Sequence, residues 1–496
     1  MPAGQPPSLK KYEHQSAGDA YFRERKYAEA LAEFELAMKL SEQDRKFESA
    51  ILIKLVQAYY AQGKYEQGIN ELKKYPSDSA SALFMGIGLM ARGDLDGALR
   101  EYMQAAETCG NDKKMQSKAG FHIMELVESA NLSGNPRAAE MAEFALKAEL
   151  KGNAKVLNVL NNELEIARGA VKLDSKLRKL VVNLTNQCNL NCKMCFSSKI
   201  PVSEISAKVA GEIKSVFPYL SQVNWLGGEV FLYKGFSALF DLAIASGVKQ
   251  EIVTNGLLID ENTAAKLIDN NVKLVLSIDG TTKEVYEDIR KGGSFSELLS
   301  KLDMLNRVRA RSNPEYAMDL NVVVTKSNYH QLERFPEFAA KYGFKNIYFM
   351  MMVGNAGDQD IFNFNRDAKI LSIVRSALAV VRSGCAEYGI NFDTNITEDV
   401  LTGGSAPKRQ APACGEKPAG EDRGRKEKCF APWKELNVDT SGLVTPIVNC
   451  FCKNIVGDLN TETMEELWNG KKMTAYRKKI LAGGMDQICT MKKARQ

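Results

Sequence analysis

Between Ala20 and Leu146 one pattern occurs four times, and it limits the fold of the first third more than any single residue does. Ala20–Ala37 reads AYFRERKYAEALAEFELA, and Ala58–Leu72 reads AYYAQGKYEQGINEL. Gly88–Ala105 reads GLMARGDLDGALREYMQA, and Leu132–Leu146 reads LSGNPRAAEMAEFAL. In each, a helical stretch ends in a polar or Gly-containing turn. An apolar or Pro position follows (Tyr27, Tyr65, Leu95, Pro136), and a second helix opens on small residues such as Ala30 and Ala98. One such helix pair cannot bury its apolar face alone, whereas stacked pairs share a continuous core and leave a concave groove. Small residues let paired helices approach closely, and aromatic residues fill the gaps between neighbouring pairs. The expectation is an all-α array over residues 8–150, continued by a helical connector over 151–176.

Tyr27, Tyr65, Leu95 and Pro136 lie 38, 30 and 41 residues apart. These intervals scatter around the 34-residue tetratricopeptide period. The segment resembles somewhat degenerate tetratricopeptide repeats. That resemblance implies a groove that holds a peptide or a partner protein. A helical array that merely packs on the next domain is the other reading.

The whole chain has 496 residues, enough for about three domains. Its 66 basic and 61 acidic residues nearly balance, and no basic stripe calls for nucleic acid. Lys471–Lys479 reads as the solvated face of an amphipathic helix. No run approaches the roughly 20 apolar residues that cross a bilayer, and the start, MPAGQPPSLKK, lacks the apolar core of a secretion signal. The expectation is a cytoplasmic chain with no membrane partner. Ten cysteines in a reducing compartment favour metal binding or burial over disulfides. Three widely separated histidines (His14, His122, His330) rule out a His-rich zinc cage and leave a Ser/His or Cys/His catalytic pair little to draw on.

At Leu177 the period changes. Leu177–Leu184, LRKLVVNL, is a β-branched strand that feeds into TNQCNLNCKMCF, so Cys188, Cys192 and Cys195 form CxxxCxxC. Three thiolates in one loop can each hold one iron of a cubane cluster and leave the fourth iron open for a substrate or cofactor. A zinc knuckle, the alternative, needs a fourth ligand, and no His or further Cys lies close in sequence.

Here the chain resembles the radical S-adenosylmethionine (SAM) superfamily, whose signature is CxxxCxΦC after the first strand of a partial barrel. The likeness continues in order through Val223–Glu229 (VNWLGGE), Ile252–Gly256 (IVTNG), Leu274–Gly280 (LVLSIDG) and Tyr286–Phe295 (YEDIRKGGSF). Leu320–Asn328 and Ile347–Val353 read as the fifth and sixth strands. Strands alternating with helices mean parallel βαβ units, with chemistry at the C-terminal strand ends. The expectation is an α/β partial (β/α)6 barrel over residues 177–400.

The resemblance implies two cofactors, a 4Fe–4S cluster on Cys188, Cys192 and Cys195, and SAM chelated by its open iron. It also implies an external reducing electron donor and a 5′-deoxyadenosyl radical that abstracts hydrogen from a substrate. By the same likeness Gly227, Gly228 and Glu229 receive the methionyl amino group. Thr254 and Ser277 offer hydroxyls to the SAM carboxylate or ribose. Asp279 accepts from the ribose or sits nearer the substrate, as a catalytic group beside the three cysteines. Arg290 pairs with the carboxylate, and Asn328 meets the ribose or the methionyl part. Met194 stands where an aromatic is commoner, which passes side-chain stacking on adenine to Phe196. Glycine pairs also serve backbone geometry alone, and a Ser or Asp at a strand end also caps the next helix.

Residues 401–428, rich in Gly, Pro and charge, read as a linker. Beyond them comes CFAPWKELNVDTSGLVTPIVNCFC, then GDL, ELWNG, Arg477 and Cys489. Glu435–Val444 alternates around Ser441-Gly442, a hairpin signal that would bring Cys429 near Cys450 and Cys452. Residues 429–496 resemble the SPASM/twitch extensions of the same superfamily, a small α+β domain holding auxiliary clusters. Cys429, Cys450, Cys452 and Cys489 suffice for one second 4Fe–4S cluster. Lys492 stands where a closing CxxC would put its second cysteine, and Cys414 is an alternative ligand. Zinc on the same four cysteines is the rival occupant. Cys109 and Cys385 read as structural cysteines.

SPASM-bearing relatives often modify peptides, so a peptide or protein substrate, held partly by the repeat groove, is the first expectation. A sugar, cofactor precursor or other small molecule is the second. A non-enzymatic repeat scaffold carrying an inactive barrel is the third.

Overall fold

The structure, a computed structural model, describes residues 7–41, 44–147, 154–195, 200–352, 357–402, 429–446 and 455–483. Contacts divide it into two compact units, residues 1–175 and 176–496. Among the described residues no helix is long and apolar enough to cross a membrane.

Among its described residues the first unit has nine helices: α1 (Pro7–Arg23), α2 (Tyr27–Lys39), α3 (Arg45–Ala61), α4 (Tyr65–Leu72), α5 (Ser79–Ala91), α6 (Leu95–Thr108), α7 (Lys113–Leu132), α8 (Ala138–Lys147) and α9 (Ala154–Ala167). The first eight form consecutive pairs, and α9, within the expected connector, packs on α7 and α8. Asp44, Asp78, Asp94 and Asp112 cap α3, α5, α6 and α7 by accepting backbone N–H bonds.

The close approach expected of small residues takes a definite form. A Cβ on Gly18 would meet the Phe34 ring at 2.5 Å, one on Gly86 the Tyr102 ring at 2.5 Å, and one on Gly68 the Tyr60 ring at 2.4 Å. A large ring thus occupies the space a side chain would need at a glycine in three of the four pairs. Left-handed residues end the first helix of each pair: Gly63, Gly93 and Gly134 in three of them, and Arg25, at φ 60°, in the first. A side chain there is strained by contact with its own carbonyl.

Among its described residues the second unit contains a ten-stranded sheet and a separate two-stranded one. Its strands are β1 (Lys179–Asn183), β2 (Asn191–Cys192), β3 (Gln222–Leu226), β4 (Lys249–Thr254), β5 (Lys273–Ser277), β6 (Arg290–Lys291), β7 (Met318–Val324), β8 (Phe344–Met351), β9 (Asn391–Thr394), β10 (Glu435–Val438), β11 (Leu443–Thr445) and β12 (Gly457–Asp458). Strands β1, β3, β4, β5, β7 and β8 are the six read from the sequence, adjacent and parallel in that order, with β9 parallel beyond β8. Helices α10 (Ala207–Val216), α11 (Phe236–Ala245), α12 (Glu261–Asp269), α13 (Lys283–Ile289), α14 (Phe295–Ser312) and α15 (Phe335–Tyr342) occupy the connections, and α16 (Ala368–Glu387) leads to β9. Trp225 packs edge-on to Phe236, and Phe349 to Phe335, so one face of the sheet is buried under helices.

The expected hairpin is present as β10 and β11, with Val438 opposite Val444. Its β10 also pairs in parallel with β1, Lys179 opposite Glu435 through Val182 opposite Val438. The C-terminal segment therefore extends the central sheet. It continues with α17 (Glu398–Thr402) before the undescribed stretch and α18 (Ala431–Lys434), α19 (Met464–Trp468) and α20 (Lys471–Leu481) after it. Arg477, fully buried, donates from Nε to the Pro432 carbonyl at 2.9 Å and lies 4.5 Å over the Trp468 ring.

Candidate functional site

The site grows from the loop that follows β1. Thr185 and Asn186 close its base: Thr185 Oγ1 donates to the Ser203 carbonyl at 3.1 Å, and Asn186 Nδ2 to the Pro201 carbonyl at 2.6 Å. The loop thus leaves the strand and returns to it within twenty residues, presenting Cys188, Cys192 and Cys195 at the strand's C-terminal end. Cys192 lies in β2, which pairs antiparallel with β6 and sets Cys192 opposite Arg290. Lys193 reinforces that pairing, its N–H donating to the Ile289 carbonyl at 2.9 Å and its ammonium lying 2.7 Å from Asp288. Met194 is buried against Ile289 and Met352.

Donors converge on the sulfurs. The Leu190 N–H lies 3.4 Å from Cys188 Sγ, and Asn255 Nδ2 lies 3.9 Å from it. Arg290 Nη1 lies 3.9 Å from Cys192 Sγ. Burial raises the Cys188 thiol and pushes the Cys192 thiol up to about 11, with the Arg290 charge opposing it. Half-buried thiols surrounded by N–H donors and a guanidinium suit thiolates whose proton has been replaced by a metal. Among the described residues no three His, Cys, Asp or Glu side chains close round a single ion. A cubane cluster takes each thiolate on a different iron, so its ligands stand further apart than those of one zinc. The donor set fits the cluster.

The glycine pair of the GGE turn is dictated by packing. A Cβ on Gly227, whose φ is 139°, would meet the Thr185 carbonyl oxygen at 2.2 Å, and one on Gly228 the Gln187 carbonyl oxygen at 2.2 Å. Gly228 N–H donates to Thr185 O at 2.6 Å, and Glu229 N–H to Gln187 O at 2.8 Å. The turn after β3 thus lies directly on the backbone that enters the cysteine loop.

Glu229 is fully buried and accepts from Thr254 Oγ1 at 2.7 Å and from the Asn255 N–H at 3.0 Å. Burial raises its carboxyl, against these hydrogen bonds. Asn255 in turn donates from Nδ2 to Asn189 Oδ1 at 2.8 Å, linking the end of β4 to the cysteine loop. Asp279, also fully buried, accepts from the Val323 N–H at 2.7 Å and pairs with Arg290 Nη2 at 2.6 Å. Asn328 accepts from the Thr325 N–H at 2.8 Å and donates to the carbonyls of Asp279 and Val323, both at 2.9 Å.

The residues expected to meet SAM therefore do gather at the ends of β3, β4, β5 and β7, yet most of their polar atoms are engaged with one another. Thr254, Glu229, Asp279, Arg290 and Asn328 form two buried networks. Ser277, half-buried at the end of β5, has a hydroxyl with no hydrogen bond among the described residues. Phe196 lies outside the described residues. So do Cys414, Cys450, Cys452 and Cys489, which leaves Cys429, half-buried before α18, as the described member of the second cysteine set. Asn189, Asn255 and Asp288 were not singled out from the sequence. Asn255 follows Thr254 inside the quoted IVTNG, and Asn189 sits between the first two cysteines, so proximity to those motifs was the available signal.

The family profile described as the Radical SAM superfamily matches residues 182–339, and one described as an iron–sulfur cluster-binding domain, SPASM, matches residues 429–491. The chain carries a radical SAM domain. The SPASM domain follows it, and iron–sulfur clusters and SAM are the cofactors these two domains specify. Over 170 residues the chain is 35% identical to mycofactocin maturase MftC of Mycolicibacterium smegmatis, a span of 33% of this chain and 42% of that one. It is 27% identical over 160 residues to an S-adenosylmethionine-dependent nucleotide dehydratase of Selenomonas ruminantium, spanning 30% of this chain and 57% of that one. The match thus spans less than two thirds of either relative. Among solved structures, Streptococcus suis SuiB bound to S-adenosylmethionine aligns over 73% of this chain and 80% of that one, at 17% identity and a TM-score of 0.48.

The face of the same sheet opposite Trp225 and Phe349 carries a line of polar side chains near the starts of the strands. Gln222 donates to Asn224 at 2.7 Å, Asn224 to Glu251 at 3.0 Å, and Lys273 lies 3.1 Å from Glu251 and 3.2 Å from Asp319. Asn346 then donates to Asp319, and Asn391 to Asn346 at 2.9 Å. This chain of side chains crosses from β3 to the strand edge at Asn391. A cavity of about 350 Å³ opens on it, lined by Glu251, Lys273 and Asp319 together with the apolar Val275, Ile347 and Phe392. The interior of a closed (β/α)8 barrel is instead filled by layers of branched apolar side chains.

Proposed function

We propose that this chain is a radical SAM enzyme that holds a 4Fe–4S cluster on Cys188, Cys192 and Cys195, binds SAM beside Ser277, and acts on a peptide or protein. The observation that carries the reading is the cysteine loop itself, closed at its base by Thr185 and Asn186 and seated on the GGE turn, with N–H donors and a guanidinium at its sulfurs. When bound, the cluster and SAM together supply a carbon radical able to abstract hydrogen. The chain's own part is placement. Gly227 and Gly228 let the turn lie against the loop backbone. Glu229 and Asn255 fix the end of β4 to the loop, and Asp279, Arg290 and Asn328 fix the ends of β5 and β7. Ser277 is the hydroxyl left open for a ligand carboxylate or ribose. The parallel strands are read as a partial (β/α)6 barrel, and Cys429, Cys450, Cys452 and Cys489 as ligands of an auxiliary cluster of the SPASM/twitch kind.

The peptide reading draws support from the MftC likeness and from the paired helices of residues 7–147, read here as tetratricopeptide repeats whose groove holds the substrate or a partner. One observation favours the second substrate class. A curated relative is named as an S-adenosylmethionine-dependent nucleotide dehydratase.

Anaerobic reconstitution of the full chain tests the core of this reading. About two 4Fe–4S clusters per chain and reductive formation of 5′-deoxyadenosine from SAM are expected. Replacing Cys188, Cys192 and Cys195 by Ala should abolish SAM cleavage and leave the second cluster. A wild-type protein that takes up zinc alone, or that cleaves no SAM, refutes it.

A further inference from the structure

The Asp279–Arg290 pair is the most deeply buried ion pair near the cysteine loop, with side chains 0% and 8% exposed. A buried pair of charges is often no more stable than apolar residues of the same size, so its stability contribution does not explain it. Its placement does. Asp279 is held from the β7 side by the Val323 N–H, and its backbone carbonyl by Asn328. Arg290 is held through β6 opposite Cys192, and its second amino group reaches 3.9 Å from Cys192 Sγ. The guanidinium therefore stands between the carboxylate and the sulfur. Its Nε has no hydrogen-bond partner among the described residues, so no other acceptor draws it away.

We infer that Asp279 and Arg290 act together as positioning residues that set the reduction potential of the cluster held in part by Cys192. The inference rests on the reading of Cys188, Cys192 and Cys195 as cluster ligands. One-electron reduction, by whatever low-potential donor serves the enzyme, adds a negative charge to the cluster. A cation close to a ligating sulfur favours that added charge, and its carboxylate partner offsets part of the effect. The two halves of one ion pair thus push the potential in opposite directions. A merely structural pair has no reason to do so, because losing either half would loosen the same loop in the same way.

The test is an EPR-monitored reductive titration of the anaerobically reconstituted full chain, with mediators and without added SAM. The relevant signal is the one lost when Cys188, Cys192 and Cys195 are replaced by Ala. Asp279→Asn leaves an uncompensated guanidinium and should raise the potential, by about tenfold in the reduction equilibrium, or ~59 mV for one electron. Arg290→Gln should lower it. The second shift is the smaller, because Asp279 left alone in the core takes up a proton. Arg290→Lys keeps the charge and should stay closer to wild type than Arg290→Gln does. Shifts of the same sign in Asp279→Asn and Arg290→Gln, or no shift in either, overturn the inference. If Asp279→Asn takes up little iron, equal shifts in the Lys and Gln variants of Arg290 overturn it instead. Failure of the underlying reading looks different: the wild type itself then shows no signal that depends on the three cysteines.

Discussion

Replacing Gly228 by Ala tests the claim that the GGE turn is a packing device before it is anything else. The added Cβ would sit 2.2 Å from the Gln187 carbonyl oxygen and 2.6 Å from that of Asn186, about 1 Å inside normal contact. Neither carbonyl is the tip of a flexible side chain, and Asn186 is itself tied to Pro201 and Ser203. The turn must therefore lift by roughly that 1 Å, and the bonds from Gly228 N–H to Thr185 and from Glu229 N–H to Gln187 are lost or stretched. Each buried backbone group left unsatisfied costs about 1–3 kcal/mol. A destabilisation of roughly 2–4 kcal/mol follows, or a urea midpoint lower by about 1 M at a slope near 3 kcal/mol/M. The assay is convenient because Trp225, Trp433 and Trp468 are the only tryptophans and all lie in the second unit, so their fluorescence follows that unit. Gly211→Ala is the matched control. Gly211 is exposed within α10, nothing lies within 4 Å of its added Cβ, and Ala there should stabilise by about 0.5–1 kcal/mol. If Gly228→Ala unfolds at the same urea concentration as wild type, the packing account of the turn is wrong.

Other perturbations separate further parts of the account. Arg25→Gly relieves the left-handed strain at the turn between α1 and α2 and should stabilise that pair by about 1 kcal/mol; unchanged amide hydrogen-exchange protection in α1 and α2 would count against it. Burial raises the Glu229 carboxyl above its ordinary 4.5, so between the unfolded and folded values the native chain holds more protons. Its contribution to stability therefore falls as pH rises through that window. Glu229→Gln removes the titration and should flatten the slope of stability against pH above about 4.5, read by tryptophan fluorescence between pH 4 and 8; an unaltered slope refutes it. Tyr316→Phe deletes a buried hydroxyl that donates to the Val272 carbonyl at 2.5 Å and should cost about 1–2 kcal/mol in the same urea assay; a loss below about 0.3 kcal/mol contradicts the bond.

Much of the site was legible because its parts are local. The cysteine spacing, the glycine pair and the strand-end motifs each occupy a few consecutive residues, and βαβ alternation carries them to one end of the sheet. What each residue does there was less legible. Thr254, Arg290 and Asn328 were expected to face a ligand, and each also bonds to Glu229, Asp279 or backbone groups up to 49 residues away, which no local pattern records. Ser277, singled out by its place in the LVLSIDG motif, has a hydroxyl with no hydrogen bond among the described residues. Asn255 went unassigned because its importance comes from a partner, Asn189, 66 residues earlier.

By itself the sequence determined the order of the elements: paired helices with polar or glycine-containing turns and small residues at their starts, then six apolar strands with chemistry at their ends. Those features depend on period, side-chain size and backbone freedom, which are properties of short segments. The tertiary structure alone decided that the C-terminal hairpin extends the sheet at β1, where Lys179 meets Glu435, 256 positions later in the chain. It alone decided that Asn224, Glu251, Lys273 and Asp319 form one polar line, and that Arg290 stands between Asp279 and Cys192. Each of these is a pairing between distant residues. Strand order and register bring them together, and no local pattern records which strand will lie beside which.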